Sequence, residues 1–274
     1  MSRGFTLNRR QWLLSVSASA LAATPVARPL GVQLESVQSE LIKDPDRTLK
    51  DIAAAGYTEV EGYARREALA LAPKIRQYGL HLRSCVIETP LVTADWENYP
   101  QFKQLPLTDA IESLRDAGVE YCSMGIVSPG ARGDGDDFFR RTADRMNAAG
   151  ELCRKAGIKF VWPNQDFEFK GASGLRPIDI YRERLDPKFV ALELDVVWIA
   201  AARLNPMDLL RQWKGRVPLM RLRNKSKDSF APIDAGDIDF AAIMKAAQAA
   251  GVKYFFVYDD PENLARALTY LKKL

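Results

Sequence analysis

The stretch Cys153-Arg154-Lys155-Ala156-Gly157-Ile158-Lys159-Phe160-Val161-Trp162 decides the fold. An amphipathic helical pattern ends in Gly, an apolar residue follows at once, and a β-rich run comes next. Glycine accepts the left-handed conformation that closes a helix, so the stretch reads as the joint between a helix and the next strand. The same joint recurs at Ala55-Gly56-Tyr57, Tyr78-Gly79-Leu80, Ala117-Gly118-Val119 and Ala250-Gly251-Val252. The spacings from Gly79 to Gly118 and from Gly118 to Gly157 are both 39 residues, a length that suits βα units with variable loops.

Working outward from these joints, strands are predicted at Gly31–Leu34, Thr58–Glu61, Leu82–Ile87, Tyr121–Ile126, Lys159–Trp162, Val190–Asp195, Pro218–Leu222 and Tyr254–Tyr258. Helical periodicity lies between them, as at Thr48–Ala55, Asp136–Ala156 and Phe240–Ala250, with a last helix at Glu262–Leu271. Strands that alternate with helices in this way predict an α/β fold, a closed (β/α)8 TIM barrel, with a doubly wound open sheet as the alternative. The chain has 274 residues, close to the ~250 of such a barrel, with 47% apolar and 27% charged residues. No linker or second core interrupts residues 23–274, which read as one domain. The segment from Pro90 to Pro106 is the longest connection and is expected to rim the site.

The first residues read differently. Asn8-Arg9-Arg10-Gln11-Trp12-Leu13-Leu14 followed by a short run ending Ala20-Leu21-Ala22-Ala23 has the pattern of a twin-arginine export signal over residues 1–22. A buried or interfacial N-terminal helix is the alternative. The expected location is periplasmic, with no membrane association after signal removal. Removing residues 1–22 takes Arg3, Arg9 and Arg10 and no acid, which lowers the formal net charge from +4 to +1. A nearly neutral chain lacks the basic footprint that nucleic acid requires. Cys85, Cys122 and Cys153 show no C-x-x-C spacing and are expected as buried thiols.

The chain has one histidine, His81, which excludes any metal site or relay that needs two. It falls just after the Gly79-Leu80 joint, at the N-terminal face of the barrel, and is expected to be structural. In such barrels the site lies at the C-terminal ends of the strands. Those ends offer Glu61, Glu88, the run Trp162-Pro163-Asn164-Gln165-Asp166, Glu193 with Asp195, Arg221 with Arg223, and Tyr258-Asp259-Asp260. Strand alternation puts Glu193 and Asp195 on one face, and Arg221 on the next strand is the natural partner for Asp195. A ligand-binding role and a buried ion pair closing the barrel mouth both fit these charges. Trp162 and Trp198 are placed to stack on a sugar ring, with plain packing as the alternative.

Several of these runs carry a resemblance. Gly31-Val32-Gln33-Leu34, Asn164-Gln165-Asp166-Phe167-Glu168-Phe169, Ala191-Leu192-Glu193-Leu194-Asp195-Val196-Val197-Trp198 and Ile238-Asp239-Phe240 follow one another on the expected elements. From about Gly31 to its end the chain resembles the sugar phosphate isomerase/epimerase family with the xylose isomerase-like TIM barrel. The resemblance implies a divalent metal (Mn, Mg or Zn) held at the strand ends by acids and histidines, polarising a sugar while acidic residues move a proton. Carried over position by position, only Asp195 keeps a ligand type. Pro163 stands at the fifth-strand ligand position, Gln165 and Arg221 replace histidines, Arg223-Asn224 replaces Lys-Asp, and Tyr258 replaces a glutamate.

That pattern leads to two expectations. One is a sugar isomerase or epimerase working by acid/base proton transfer on a sugar, keto-sugar or sugar acid without the usual metal. Asp195 or Glu193 is then the base, Tyr258 the acid and Arg221 the partner of the developing oxyanion. Asn164, Gln165, Arg223, Trp162, Trp198 and Asp259 then contact the substrate. The other is a non-catalytic barrel that binds a carbohydrate or stabilises a partner. Export argues against a phosphorylated sugar in either case, because such metabolites are mainly cytoplasmic.

Overall fold

The computed structural model describes residues 29–127, 132, 135–170, 176–227 and 229–274. The expected export signal lies outside the described residues. Ten strands follow in chain order: β1 Leu30–Gln33, β2 Glu59–Gly62, β3 His81–Ile87, β4 Tyr121–Met124, β5 Lys159–Pro163, β6 Val190–Asp195, β7 Leu219–Leu222, β8 Asn224–Ser226, β9 Ser229–Ala231 and β10 Tyr254–Val257. Eight of them close a parallel barrel in the order β1-β10-β7-β6-β5-β4-β3-β2, while β8 and β9 form a separate antiparallel hairpin. The closing contact pairs Gly31 with Phe256 on one side and with Glu59 on the other, which rules out the open-sheet alternative.

The joints behave as their sequence predicts. Gly157 follows the helix Asp136–Lys155 with φ 82°, and Ile158 returns its amide to Cys153 O at 3.0 Å before β5 begins. Gly31 serves close approach instead. A Cβ there would meet Glu59 O at 2.7 Å, so a side chain at the β1–β2 contact would push the barrel open.

Strand alternation sorts the side chains between two environments. Outward residues such as Phe160, Trp162, Leu192, Leu194 and Met220 join the layer under the helices, where Met146, Ala149 and Cys153 of the long helix pack on them. Inward residues Tyr121, Val161, Leu219 and Phe256 form a small separate plug inside the barrel. Cys85, Cys122 and Cys153 are all free and buried, as expected. His81 opens β3 at the N-terminal end, where its exposed ring lies 3.2 Å from Thr58 O and 3.8 Å from Glu59. No helix of the described residues is long and apolar enough to cross a membrane.

Elements absent from the sequence reading include a short helix, Thr89–Thr93, at the start of the segment read as the Pro90–Pro106 connection, and two more beside the strand ends. The β8–β9 hairpin falls where only the strand end Arg223-Asn224 was read. The segment Val196–Ala201, after β6, is a short helix capped by Asp195, whose carboxylate accepts from Val197 N at 3.2 Å.

Candidate functional site

Above the plug, at the C-terminal ends of the strands, the barrel opens into a cavity of about 610 Å3. That size is ordinary for a small-molecule site. Its floor is built from charges. Arg221 on β7 reaches across the barrel to Glu61 on β2, with Nε to Oε2 at 2.7 Å and Nη2 to Oε1 at 3.0 Å. Its Nη2 also lies 3.2 Å from Glu193 Oε2. Ser84 Oγ donates to Glu61 Oε1 at 3.0 Å and completes the clamp.

This differs from the expected pairing of Arg221 with Asp195. The two are register partners on β6 and β7, yet the guanidinium turns toward the barrel axis, where two carboxyls wait and only one cation is available. Glu193 is fully buried beneath Arg221 and does not line the cavity, so its assignment as a substrate-facing base is corrected. Burial pushes its carboxyl well above the ordinary range, Arg221 pulls it down, and Glu61 pushes it up again. Its carboxyl therefore holds a proton more readily than a free glutamate does, which eases the charge crowding beside Glu61.

Asp195 is the acid that does reach the cavity. It is only 4% exposed, and burial raises its pKa from 3.8 to about 6 against the pull of Arg221 and Arg223. Asn164 holds it in place. The Asn164 side chain accepts from Asp195 N at 2.9 Å and donates to Asp195 O at 3.3 Å. Asn164 is itself fully buried and outside the cavity wall, so it positions the acid and does not meet a ligand.

The remaining expectations divide in the same way. Gln165, Trp198, Arg223 and Tyr258 line the cavity with Arg221. Gln165 is fixed through its backbone, which donates to Glu168 Oε2 at 2.7 Å. Burial raises Glu168 to about 8. Tyr258 is half-buried, and burial holds its phenol above the ordinary 10, so it stays a donor at neutral pH. Trp162 is corrected: it faces the helix layer, 1% exposed, with its ring edge-on to Tyr181 at 4.7 Å. Asp259 is corrected too. Its carboxylate accepts from Ile233 N at 2.8 Å, Asp260 N at 2.8 Å and Asn263 Nδ2 at 3.0 Å, which ties loops together away from the cavity.

Several wall residues had not been singled out. Gln33 from β1 accepts from Glu35 N at 2.7 Å, and Arg65 forms a two-pronged pair with Glu88 at 3.0 and 2.9 Å. Tyr99 and Phe102 come from the Pro90–Pro106 segment, which rims the cavity as its length suggested. Glu61 was visible at a strand end, but its partner is distant by 160 positions and sits across the barrel.

Among the described residues no three His, Cys, Asp or Glu side chains converge on one point. Asp195 faces Arg221 and Arg223, whose positive charges disfavour a cation there.

The fold has clear counterparts. A sugar phosphate isomerase/epimerase from Parabacteroides distasonis superposes with a TM-score of 0.76 at 19% identity, covering 90% of this chain and 98% of that one. A second from the same organism gives 0.73 at 22% identity, covering 93% and 97%. The chain folds as a xylose isomerase-like TIM barrel. This xylose isomerase-like barrel also matches 3-keto-D-glucoside 4-epimerase from E. coli, with a TM-score of 0.68 at 13% identity over 90% of this chain and all of the other. By sequence it is 21% identical over 208 residues to an inosose dehydratase of Mesomycoplasma hyopneumoniae, covering 71% of this chain and 67% of the relative. No protein-family model matches the barrel.

Proposed function

We propose that this barrel is a sugar-modifying enzyme of the isomerase/epimerase type, acting on a sugar, keto-sugar or sugar acid by proton transfer without a divalent metal. The observation that carries the proposal is Asp195: a buried carboxyl at a cavity floor, set against two guanidinium groups, with a pKa of about 6. Such a group is ionised at neutral pH yet poorly solvated, the state a general base needs.

In this reading Asp195 takes the proton from a carbon beside the substrate carbonyl. The electron pair of that C–H bond becomes a C=C bond to the carbonyl carbon, the carbonyl π pair moves onto oxygen, and an enediolate results. Arg221 supplies a fixed positive charge at the floor, held by Glu61 and Glu193 so that it need not reorganise as charge develops. Tyr258 donates a hydrogen bond to the developing anion, and Gln165 offers a side-chain amide for hydroxyls. Return of the proton to the same carbon or its neighbour gives the epimer or the isomer. The similarity to a 3-keto-D-glucoside 4-epimerase and to an inosose dehydratase supports a carbohydrate-like polyhydroxy ketone as substrate. The pattern at Arg9-Arg10 supports export to the periplasm, and hence an unphosphorylated substrate.

The test is proton exchange. Incubation with a panel of aldoses, ketoses and sugar acids in D2O should wash deuterium into a carbon beside a carbonyl, and Asp195→Asn should abolish it. Washing should continue in EDTA with no stoichiometric Mn, Mg or Zn in the sample. Binding without exchange for every bound sugar favours the non-catalytic barrel, which the missing ligand set also suits.

A further inference from the structure

Resting on the carbohydrate reading above, we infer that Arg223 is a specificity residue that reads a carboxylate, so that the ligand is a sugar acid and not a neutral sugar. The observation is a difference among the arginines of the cavity. Arg65 is spent on Glu88, and Arg221 on Glu61 and Glu193. Arg223 has no carboxylate partner among the described residues. Arg66 also borders the cavity but is solvent-exposed, where a lone cation is ordinary.

Arg223 is held by aromatic rings instead. Its guanidinium carbon lies 3.4 Å from the centroid of Tyr258 and 4.2 Å from that of Phe230. Phe230 is 59% exposed and comes from the β8–β9 hairpin, whose turn brings it back over the strand end. Ring contacts engage the face of a guanidinium, so apart from its hydrogen bond with the Tyr258 hydroxyl the N–H edge of Arg223 is left for an acceptor. A planar, pre-set fork of donors matches a carboxylate in two parallel hydrogen bonds.

The charges around it set the size of the anion. Glu88 pairs with Arg65 and Glu61 with Arg221, so Arg223 is the one half-buried guanidinium of the described wall with no carboxylate in ion-pair contact, although Asp195 feels its charge from further off. With Asp195 ionised beside it the local charge is already balanced, so a singly charged carboxylate meets less repulsion than a doubly charged group would. A phosphate dianion would meet net repulsion from Asp195.

Matched pairs test the inference: glucose with glucuronate, galactose with galacturonate, and glucose 6-phosphate, each titrated by calorimetry at constant ionic strength. In the unaltered protein at least one acid should bind 10- to 100-fold more tightly than its neutral parent. Arg223→Gln should erase that preference while leaving affinity for the parent within about twofold, and Arg223→Lys should restore part of it. Arg223 forms no ion pair, so the Gln variant should melt within about 2 °C of the unaltered protein, which a thermal scan checks. Equal affinity for acid and parent, a preference that survives Arg223→Gln, or tighter binding of the phosphate overturns the carboxylate assignment and leaves the sugar site standing. If no sugar in any pair binds, and deuterium exchange is also absent, the carbohydrate reading fails and the inference with it.

Discussion

Replacing Asp195 by Asn should make the protein less active and, above pH 6, more stable. In the folded barrel Asp195 keeps its proton up to about pH 6, whereas the unfolded chain releases it near 3.8. Between those values the folded state binds more protons, so this group's contribution to stability falls as pH rises. At 1.36 kcal/mol per pH unit the whole interval corresponds to about 3 kcal/mol. Titration of the two states places about 2 kcal/mol of it between pH 4.5 and pH 8, a range open to measurement. Asn keeps the shape and can still accept from Val197 N, the cap that Asp195 provides at 3.2 Å. It carries no charge to desolvate. Urea unfolding of both proteins, followed by tryptophan fluorescence at several pH values, should show the difference in unfolding free energy moving by about 2 kcal/mol in favour of Asp195→Asn from pH 4.5 to pH 8. A flat difference, or one that moves the other way, would refute the reasoning that burial governs this carboxyl.

Other outcomes follow from the same contacts. Arg221→Met leaves Glu61 and Glu193 buried with no cation between them and should cost about 3–5 kcal/mol, lowering the melting temperature by roughly 6–20 °C in calorimetry. That deficit should shrink at acid pH, where carboxyls bind protons in folded and unfolded chains alike. Asn164→Ala strands the backbone of Asp195 and should cost about 1–3 kcal/mol in urea unfolding, with a fall in turnover once a substrate is found. Trp162→Ala removes core packing against Tyr181 and should cost about 3–5 kcal/mol without altering ligand affinity in the folded protein, measured by titration. The three buried thiols should resist a thiol reagent at pH 8 in the native state and react fully on denaturation.

The barrel was legible because its signals are local. Gly157 and Gly251 mark helix ends, and the run Val190–Asp195 is a strand with the bounds read from its residues. The site was legible in its acid and rim: alternation put Asp195 inward, and the long Pro90–Pro106 segment delivers Tyr99 and Phe102 to the wall. The errors share one cause. Trp162 was read from its position near a strand end, although Val161 and Pro163 on either side take the inward places and leave it the outward one. Arg221 was paired with its register neighbour, whereas inside a narrow barrel the axis brings β7 face to face with β2. Asp259 was read as a cavity residue because nothing in Tyr258-Asp259-Asp260 says which side chain turns back to bind loop amides. The hairpin that carries Phe230 is short and polar, too weak a pattern to stand out from a loop.

The plug of Tyr121, Val161, Leu219 and Phe256 separates two groups of charges that share one tube. Below it Arg83 bonds Glu59 at 2.6 Å and Glu120 at 3.2 Å; above it Arg221 binds Glu61 and Glu193. A single layer of side chains thus keeps the two groups from sharing ion-pair partners, so Arg83 and Arg221 are each satisfied by carboxylates on their own side of the plug. A matched edit in the lower chamber, Arg83→Met with Glu59→Leu, removes one charge of each sign and so changes the net field at Asp195 little. The upper chamber is thereby free to take a new set of ligand-reading residues without renegotiating the scaffold beneath it.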